Sequence, residues 1–319
     1  MRISVVALAV SLMSSALQAA PVETFVEAPG PQGPLKGTML SPANADAPVV
    51  LIIPGSGPTD RDGNNPLGIK AASYRLLAEG LAEAGVASVR IDKRGMFASA
   101  AAIPDPNDVT IEAYADDVHA WIDKIRKTTG KSCVWVLGHS EGGLVALEAA
   151  QRPEGLCGLV LVAAPGRRMG EIIREQLMPH PAGNEASNDL ERAIATLEAG
   201  KRIDVSTLHP LIRKVFPDII QGFLISELTL DPAALAAAYS GPLEIVQGDK
   251  DLQIKVVDAE RLKAANAAAK LVILAGVNHV LKAVSSDKVM DNIATYADPS
   301  LPLAPGVVQA IADFVTERR

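Results

Sequence analysis

The sequence predicts an α/β protein: a mostly parallel central sheet flanked by helices, interrupted once by a helical insertion. Three observations predict it. Short β-rich apolar runs alternate with helical patterns along most of the chain. Several runs lack the polar alternation of a half-exposed strand, as expected where both faces of a parallel sheet are covered. From Arg167 to about Tyr239 the rhythm stops, and no convincing strand is found. With 319 residues, 48% of them hydrophobic, the chain is long and apolar enough for one large core of this kind.

The first residues, MRISVVALAVSLMSSALQAAPVE, join the positive Arg2 to an apolar run from Ile3 to Leu17 and a small-residue end before Pro21. This is the pattern of a secretory signal peptide over residues 1–20, cut after Ala19 or Ala20. The run is short for a membrane anchor, and no later segment approaches the roughly 18 apolar residues of a span. The mature chain is therefore expected in the periplasm or secreted, with no stable membrane anchor. The full sequence, with a formal net charge of -7, lacks the basic footprint of a nucleic-acid partner.

Strands are expected at 49–53, 86–91, 133–137, 159–163, 243–246 and 271–274. A helix is expected over 111–127, where Ile111, Tyr114, Val118, Trp121, Ile122 and Ile125 recur at helical spacing. Helical pieces at 171–178, 189–197 and 232–239 make 167–239 an insertion packed on the sheet as a cap. Residues 21–166 and 240–319 form the core, closed by a helix over 304–319. Cys133 and Cys157 show no CxxC or zinc spacing. Cys133 opens one expected strand and Cys157 lies just before the next, and adjacent parallel strands would bring them within bridging reach. Two free buried thiols are the alternative.

The chemistry centres on VWVLGHSEGGLVALEAA. Gly138-His139-Ser140-Glu141-Gly142 fits G-x-S-x-G, with an expected strand before it and a helix after it. That context makes a sharp turn exposing the Ser140 hydroxyl, where only small residues at 138 and 142 avoid a clash. A serine hydroxyl needs a base. Of five histidines, His139 is held within the turn, His119 lies inside a helix, and His180 and His209 sit beside prolines in the insertion. His279 follows the last expected strand, beyond whose C-terminal end sites form in open parallel sheets. His279 is the expected base. The acid that orients it should follow another strand, and LEIVQGDKDLQI offers Asp249 and Asp251.

The stretch LIIPGSGPTDRDGNN breaks a strand into Gly55-Ser56-Gly57 and a charged triplet. It lacks the third glycine of a dinucleotide fingerprint, and Pro58 disrupts a helix start. Together with Ile91-Asp92-Lys93-Arg94-Gly95, Gly248-Asp249-Lys250-Asp251, Asn278-His279 and Tyr296-Ala297-Asp298-Pro299, these residues resemble the α/β-hydrolase fold superfamily, in a bacterial exported esterase branch. The resemblance covers nearly the whole mature chain and implies a serine carboxylesterase or thioesterase acting on small acyl esters, with no cofactor or metal. Its Gly-x-x-Asp spacing selects Asp251 over Asp249, which has little chain in which to swing toward His279. It also implies an oxyanion hole from the backbone N–H of Glu141 and of Ser56, with Gly55 and Gly57 letting the main chain reach the substrate. Many relatives carry His-Gly where Pro54-Gly55 stands here. Asp60-Arg61-Asp62 are expected to brace this loop by ion pairs. An exported peptidase or amidase is the alternative chemistry, and a non-catalytic binding protein on the same fold the alternative class.

Overall fold

The protein, described here from a computed structural model, is seen over residues 20–177 and 184–317. The expected signal peptide, apart from Ala20, and His180 lie outside the described residues. Eight strands form one sheet: β1 (Val22–Ala28), β2 (Leu35–Ser41), β3 (Val49–Ile53), β4 (Ala87–Ile91), β5 (Val134–His139), β6 (Leu156–Val162), β7 (Leu243–Gly248) and β8 (Lys270–Leu274). Their order is β1-β2-β4-β3-β5-β6-β7-β8. From β4 to β8 all neighbours are parallel, whereas β2 runs antiparallel to both β1 and β4.

The helices are α1 (Ser73–Glu83), α2 (Ile111–Thr129), α3 (Glu141–Ala149), α4 (Met169–Leu177), α5 (Asn184–Glu198), α6 (Pro210–Val215), α7 (Gln221–Thr229), α8 (Pro232–Ala238), α9 (Val256–Ala265), α10 (Val289–Ala294) and α11 (Val307–Glu317). Strand β3 explains the unbroken apolar run VVLII. Val49, Leu51 and Ile53 join the core shared with α2, α3 and α9, while Val50 and Ile52 point to the opposite core with α1 and α11. Full burial of such a side chain contributes about 1.5–3 kcal/mol, so neither face admits a polar residue cheaply. Helix α2 begins where the Thr110 side chain accepts a hydrogen bond from Ala113 N, and stops at Gly130, whose φ is 74°.

Two strands lie outside the sequence expectation. β1 is a sheet edge, with Val22 60% and Phe25 85% exposed, so burial leaves little apolar pattern in VETFVEA. Between β6 and β7 the described residues form helices, short 3-10 turns and loops. Helices α5, α6 and α7 bury their own cluster around Ile194, Phe216 and Leu228, and Met169 and Phe223 also pack against the main core. Helix α8 instead rests on α3 and α9, and its Ala236 belongs to the main core. The separate helical cluster therefore ends with α7, short of residue 239. Cys133 and Cys157 form a disulfide, Cα atoms 5.1 Å apart, across the neighbouring strands β5 and β6.

Candidate active site

Strand β5 ends at His139, and the next residue turns abruptly into α3. Ser140 has φ 55° and ψ -127°, a conformation that an L side chain adopts only under constraint. The turn is tight enough to dictate its neighbours. A Cβ on Gly138 would stand 2.1 Å from Gly142 O, and one on Gly142 would stand 2.4 Å from Ile53 O. Helix α3 directs its N-terminus at Ser140, favouring negative charge there.

His279 and Asp251 come from the loops after β8 and β7, and both are buried. His279 Nδ1 donates to Asp251 Oδ2 at 2.8 Å. Asp251 Oδ1 accepts from Gln253 N at 2.7 Å and Ile254 N at 3.0 Å, and Gln247 Nε2 reaches Oδ2 at 3.3 Å. Burial alone would raise this carboxyl, but His279 and the two backbone N–H groups outweigh it and hold Asp251 below its ordinary value. Asp249 points elsewhere: it is exposed and accepts from Gly276 N at 2.7 Å. Ser140 and His279 line one cavity of about 90 Å³. Among the described residues Ser140 Oγ makes no hydrogen bond to His279. Such contacts commonly tighten only with substrate bound.

The glycine loop sits against this turn. A Cβ on Gly55 would lie 3.1 Å from Ser140 Cβ, so the main chain passes close behind the serine. Both backbone groups of Gly55 are taken. Its N–H donates to Tyr74 Oη at 3.0 Å, and its carbonyl accepts from Lys93 Nζ at 2.7 Å. Gly55 therefore shapes the loop and offers no free donor of its own, while it lines the same cavity as Ser56, Ser140 and His279. Gly57 supplies the turn with φ 65°. The N–H groups of Ser56 and Glu141 have no hydrogen-bond partner among the described residues.

The charged triplet divides its work. Arg61 pairs with Asp92 at 2.5 Å and donates to Thr38 Oγ1 at 3.0 Å, Asp62 pairs with Arg90, and Asp60 Oδ1 accepts from the N–H groups of Asp62 and Asn64. Two of the three side chains thus tie the loop to the sheet, and one closes a turn.

Of the other histidines, His119 Nε2 lies 3.0 Å from Ala149 O and His209 caps α6, both remote from the cavity. His139 is buried beside it. Its Nε2 donates to His279 O at 2.8 Å, and its Nδ1 accepts from Tyr74 Oη at 2.9 Å. Burial first, then the neighbouring His279, push His139 down to about 3.

Sequence reasoning missed three residues here: Tyr74, Lys93 and Glu227. Lys93 is 3% exposed and pairs with Glu141 at 3.0 Å. Burial would lower it, but Glu141, Tyr114 and Glu227 hold it above the ordinary lysine value. The signal was available in IDKRG, where a lysine directly follows a fully buried strand. Tyr74 and Glu227 carry no local signal, because their partners lie 19 or more residues away in the chain.

A family model for serine aminopeptidase, S33, matches residues 67–283, about two thirds of the chain. Comparison with curated protein sequences gives no match. Among solved structures the chain is similar to Est1E from Butyrivibrio proteoclasticus, at 17% identity and TM-score 0.57 over 92% of this chain and 98% of that one. A thermophilic esterase from Thermogutta terrifontis is 17% identical with TM-score 0.56, covering 92% and 99%. Proline iminopeptidase from Mycobacterium smegmatis is 15% identical with TM-score 0.59, covering 92% and 98%. These likenesses establish the architecture, a mostly parallel sheet flanked by helices in the α/β-hydrolase manner.

Proposed function

Because the chain belongs to the serine aminopeptidase S33 family of α/β hydrolases, we propose that this serine hydrolase cleaves small carboxylic esters through Ser140, His279 and Asp251. The observation that carries this reading is the buried His279–Asp251 pair at 2.8 Å, opening on the same cavity as the strained Ser140. Asp251 accepts a hydrogen bond from Nδ1–H, so His279 Nε2 keeps its lone pair and acts as base. Ser140 Oγ attacks the ester carbonyl as its proton passes to Nε2. The oxyanion is met by the free N–H groups of Glu141 and Ser56; with Gly55 N already bonded to Tyr74, Ser56 is the next donor along the loop. The alcohol leaves with the proton from His279. Water, activated by the same base, then releases the acid from the acyl-enzyme.

The test is direct. A fluorophosphonate probe should attach to Ser140, and Ser140→Ala should lower kcat on a short chromogenic ester by on the order of 10³-fold or more with the fold intact. Labelling elsewhere, or an alanine variant that retains activity, ends this reading.

The family description favours a second chemistry, amide or aminoacyl cleavage at the same triad. Purified enzyme assayed against esters, thioesters and aminoacyl amides ranks them by kcat/KM. The helices from α4 to α7 serve in this reading as a cap over the acyl side of the site, supported by the cavity that Met169, Ile173 and Phe223 share with Ser56 and Glu141. Export is inferred as well. The N-terminal leader pattern supports it, and the Cys133–Cys157 bridge suits an oxidising compartment. N-terminal sequencing of the mature protein checks it, and an intact Met1 speaks against it.

A further inference from the structure

The cavity under the cap holds a carboxyl group that ester hydrolysis does not use. It measures about 360 Å³ and adjoins the site at Ser56, Gly57 and Glu141. Its far walls are largely apolar, with Met169, Ile173, Phe223 and Leu224 among them. Glu227 of α7 lines this space, only 4% exposed, and its Oε1 has no hydrogen-bond partner among the described residues. A buried oxygen left in that condition is costly, and a ligand that enters the cavity can complete it.

The surrounding charges define the ligand. The loop after β4 contributes Lys93, α3 contributes Glu141, and α2 contributes Tyr114. Farther back, Arg94 is occupied by Asp117. Lys93 donates to Glu141 and to Gly55 O. One cation thus faces two carboxyl groups, and Lys93 and Glu141 already neutralise each other. Burial first, then the Glu141 charge, push Glu227 up to about 8 against the pull of Lys93. Burial and the Glu141 charge both favour its neutral form, a carboxylic acid with one donor and one acceptor in an apolar chamber.

We propose that Glu227 anchors a hydroxyl group on the acyl part of the substrate, making hydroxyacyl esters preferred over plain alkanoyl esters. A hydroxyl both accepts and donates, so it matches the neutral carboxyl with no charge left over. A plain alkyl chain leaves Oε1 unsatisfied. A carboxylate adds a negative charge beside Glu141, and an ammonium requires Glu227 to ionise. This proposal rests on the ester-hydrolase reading of Ser140.

The experiment compares p-nitrophenyl butyrate with p-nitrophenyl 3-hydroxybutyrate in the wild type, Glu227→Gln and Glu227→Leu. Each enzyme's ratio of kcat/KM for the two esters is divided by the ratio for the leucine variant, which cancels intrinsic reactivity. The wild type should exceed the leucine variant roughly 5- to 10-fold, with glutamine between them. Equal ratios in all three overturn the proposal, as does a stronger wild-type preference for an amino-bearing ester of the same length. Turnover of neither ester overturns the ester-hydrolase reading instead. Wild-type protein alone gives a second measurement. Inhibition by 1,1,1-trifluoro-4-hydroxypentan-2-one should be at least as tight as by 1,1,1-trifluoropentan-2-one, despite the lost apolar contact; weaker inhibition overturns the proposal.

Discussion

Tyr74 and His139 meet edge to face beside Ser140, ring centroids 5.4 Å apart, with the tyrosine hydroxyl donating to His139 Nδ1 at 2.9 Å. The direction is forced. His139 Nε2 must carry a proton to donate to His279 O, so Nδ1 can only accept. Tyr74 Oη then accepts from Gly55 N. One relay therefore joins the loop bearing Ser56 to the loop bearing His279. Burial pushes Tyr74 well above and His139 well below their ordinary ranges, so neither titrates near neutral pH.

Tyr74→Phe removes the middle of that relay, leaving Gly55 N and His139 Nδ1 unpaired at about 1–3 kcal/mol each. With the Ser56 loop loosened, kcat should fall about tenfold while KM changes little, beyond a modest loss of thermal stability. Steady-state kinetics and calorimetry separate the two effects. Lower stability with wild-type kcat would reduce the relay to scaffolding.

Asp251→Asn should lower kcat by on the order of 10⁴-fold, because the amide can hold His279 in the wrong tautomer. Asp249→Asn keeps an oxygen that can accept from Gly276 N, so its effect should stay within about tenfold. The opposite ranking in kcat would transfer the orienting role to Asp249.

What the sequence made legible follows from physical scale. Strands buried on both faces, such as Val49–Ile53, are written in adjacent residues, and so is the Gly138–Gly142 turn, whose clearances of 2.1 and 2.4 Å dictate glycine locally. The edge strand at Val22–Ala28 is not, because exposure removes the selection that writes a pattern. Nor is the polar machinery around Lys93, Glu141 and Glu227, which three distant elements assemble in one chamber. The relay from Gly55 to His279 is of the same kind: no single window of sequence contains two of its links.

The Cys133–Cys157 bridge links residues 24 apart. Restricting a loop of that length in the unfolded chain stabilises the fold by about 3 kcal/mol. The Cys133→Ser, Cys157→Ala double variant should lose roughly that much in denaturant unfolding. Thiol titration of denatured, unreduced protein should find no free thiol, and two would exclude the bridge.

The buried carboxyls should also set the slope of stability against pH. Burial pushes Glu227 from an ordinary 4.5 up to about 8, and Glu244 up to about 7 despite Lys270 beside it at 3.0 Å. For such a group the folded state binds a proton that the unfolded state has released. Its stabilising contribution is complete below about pH 4.5 and disappears as pH rises through 7 to 8. His139 acts on the opposite side. Held down to about 3 in the fold, it stays neutral there while the unfolded histidine takes a proton below its ordinary 6.5, so stability falls as pH drops from 6.5 toward 3. The Tm of the wild type should therefore decline between about pH 6 and pH 8. In Glu227→Gln, which has no proton to lose, that decline should flatten by a few degrees while the slope below about pH 4.5 is kept. Parallel Tm–pH curves for the two proteins across this window would show that Glu227 is already ionised in the folded state.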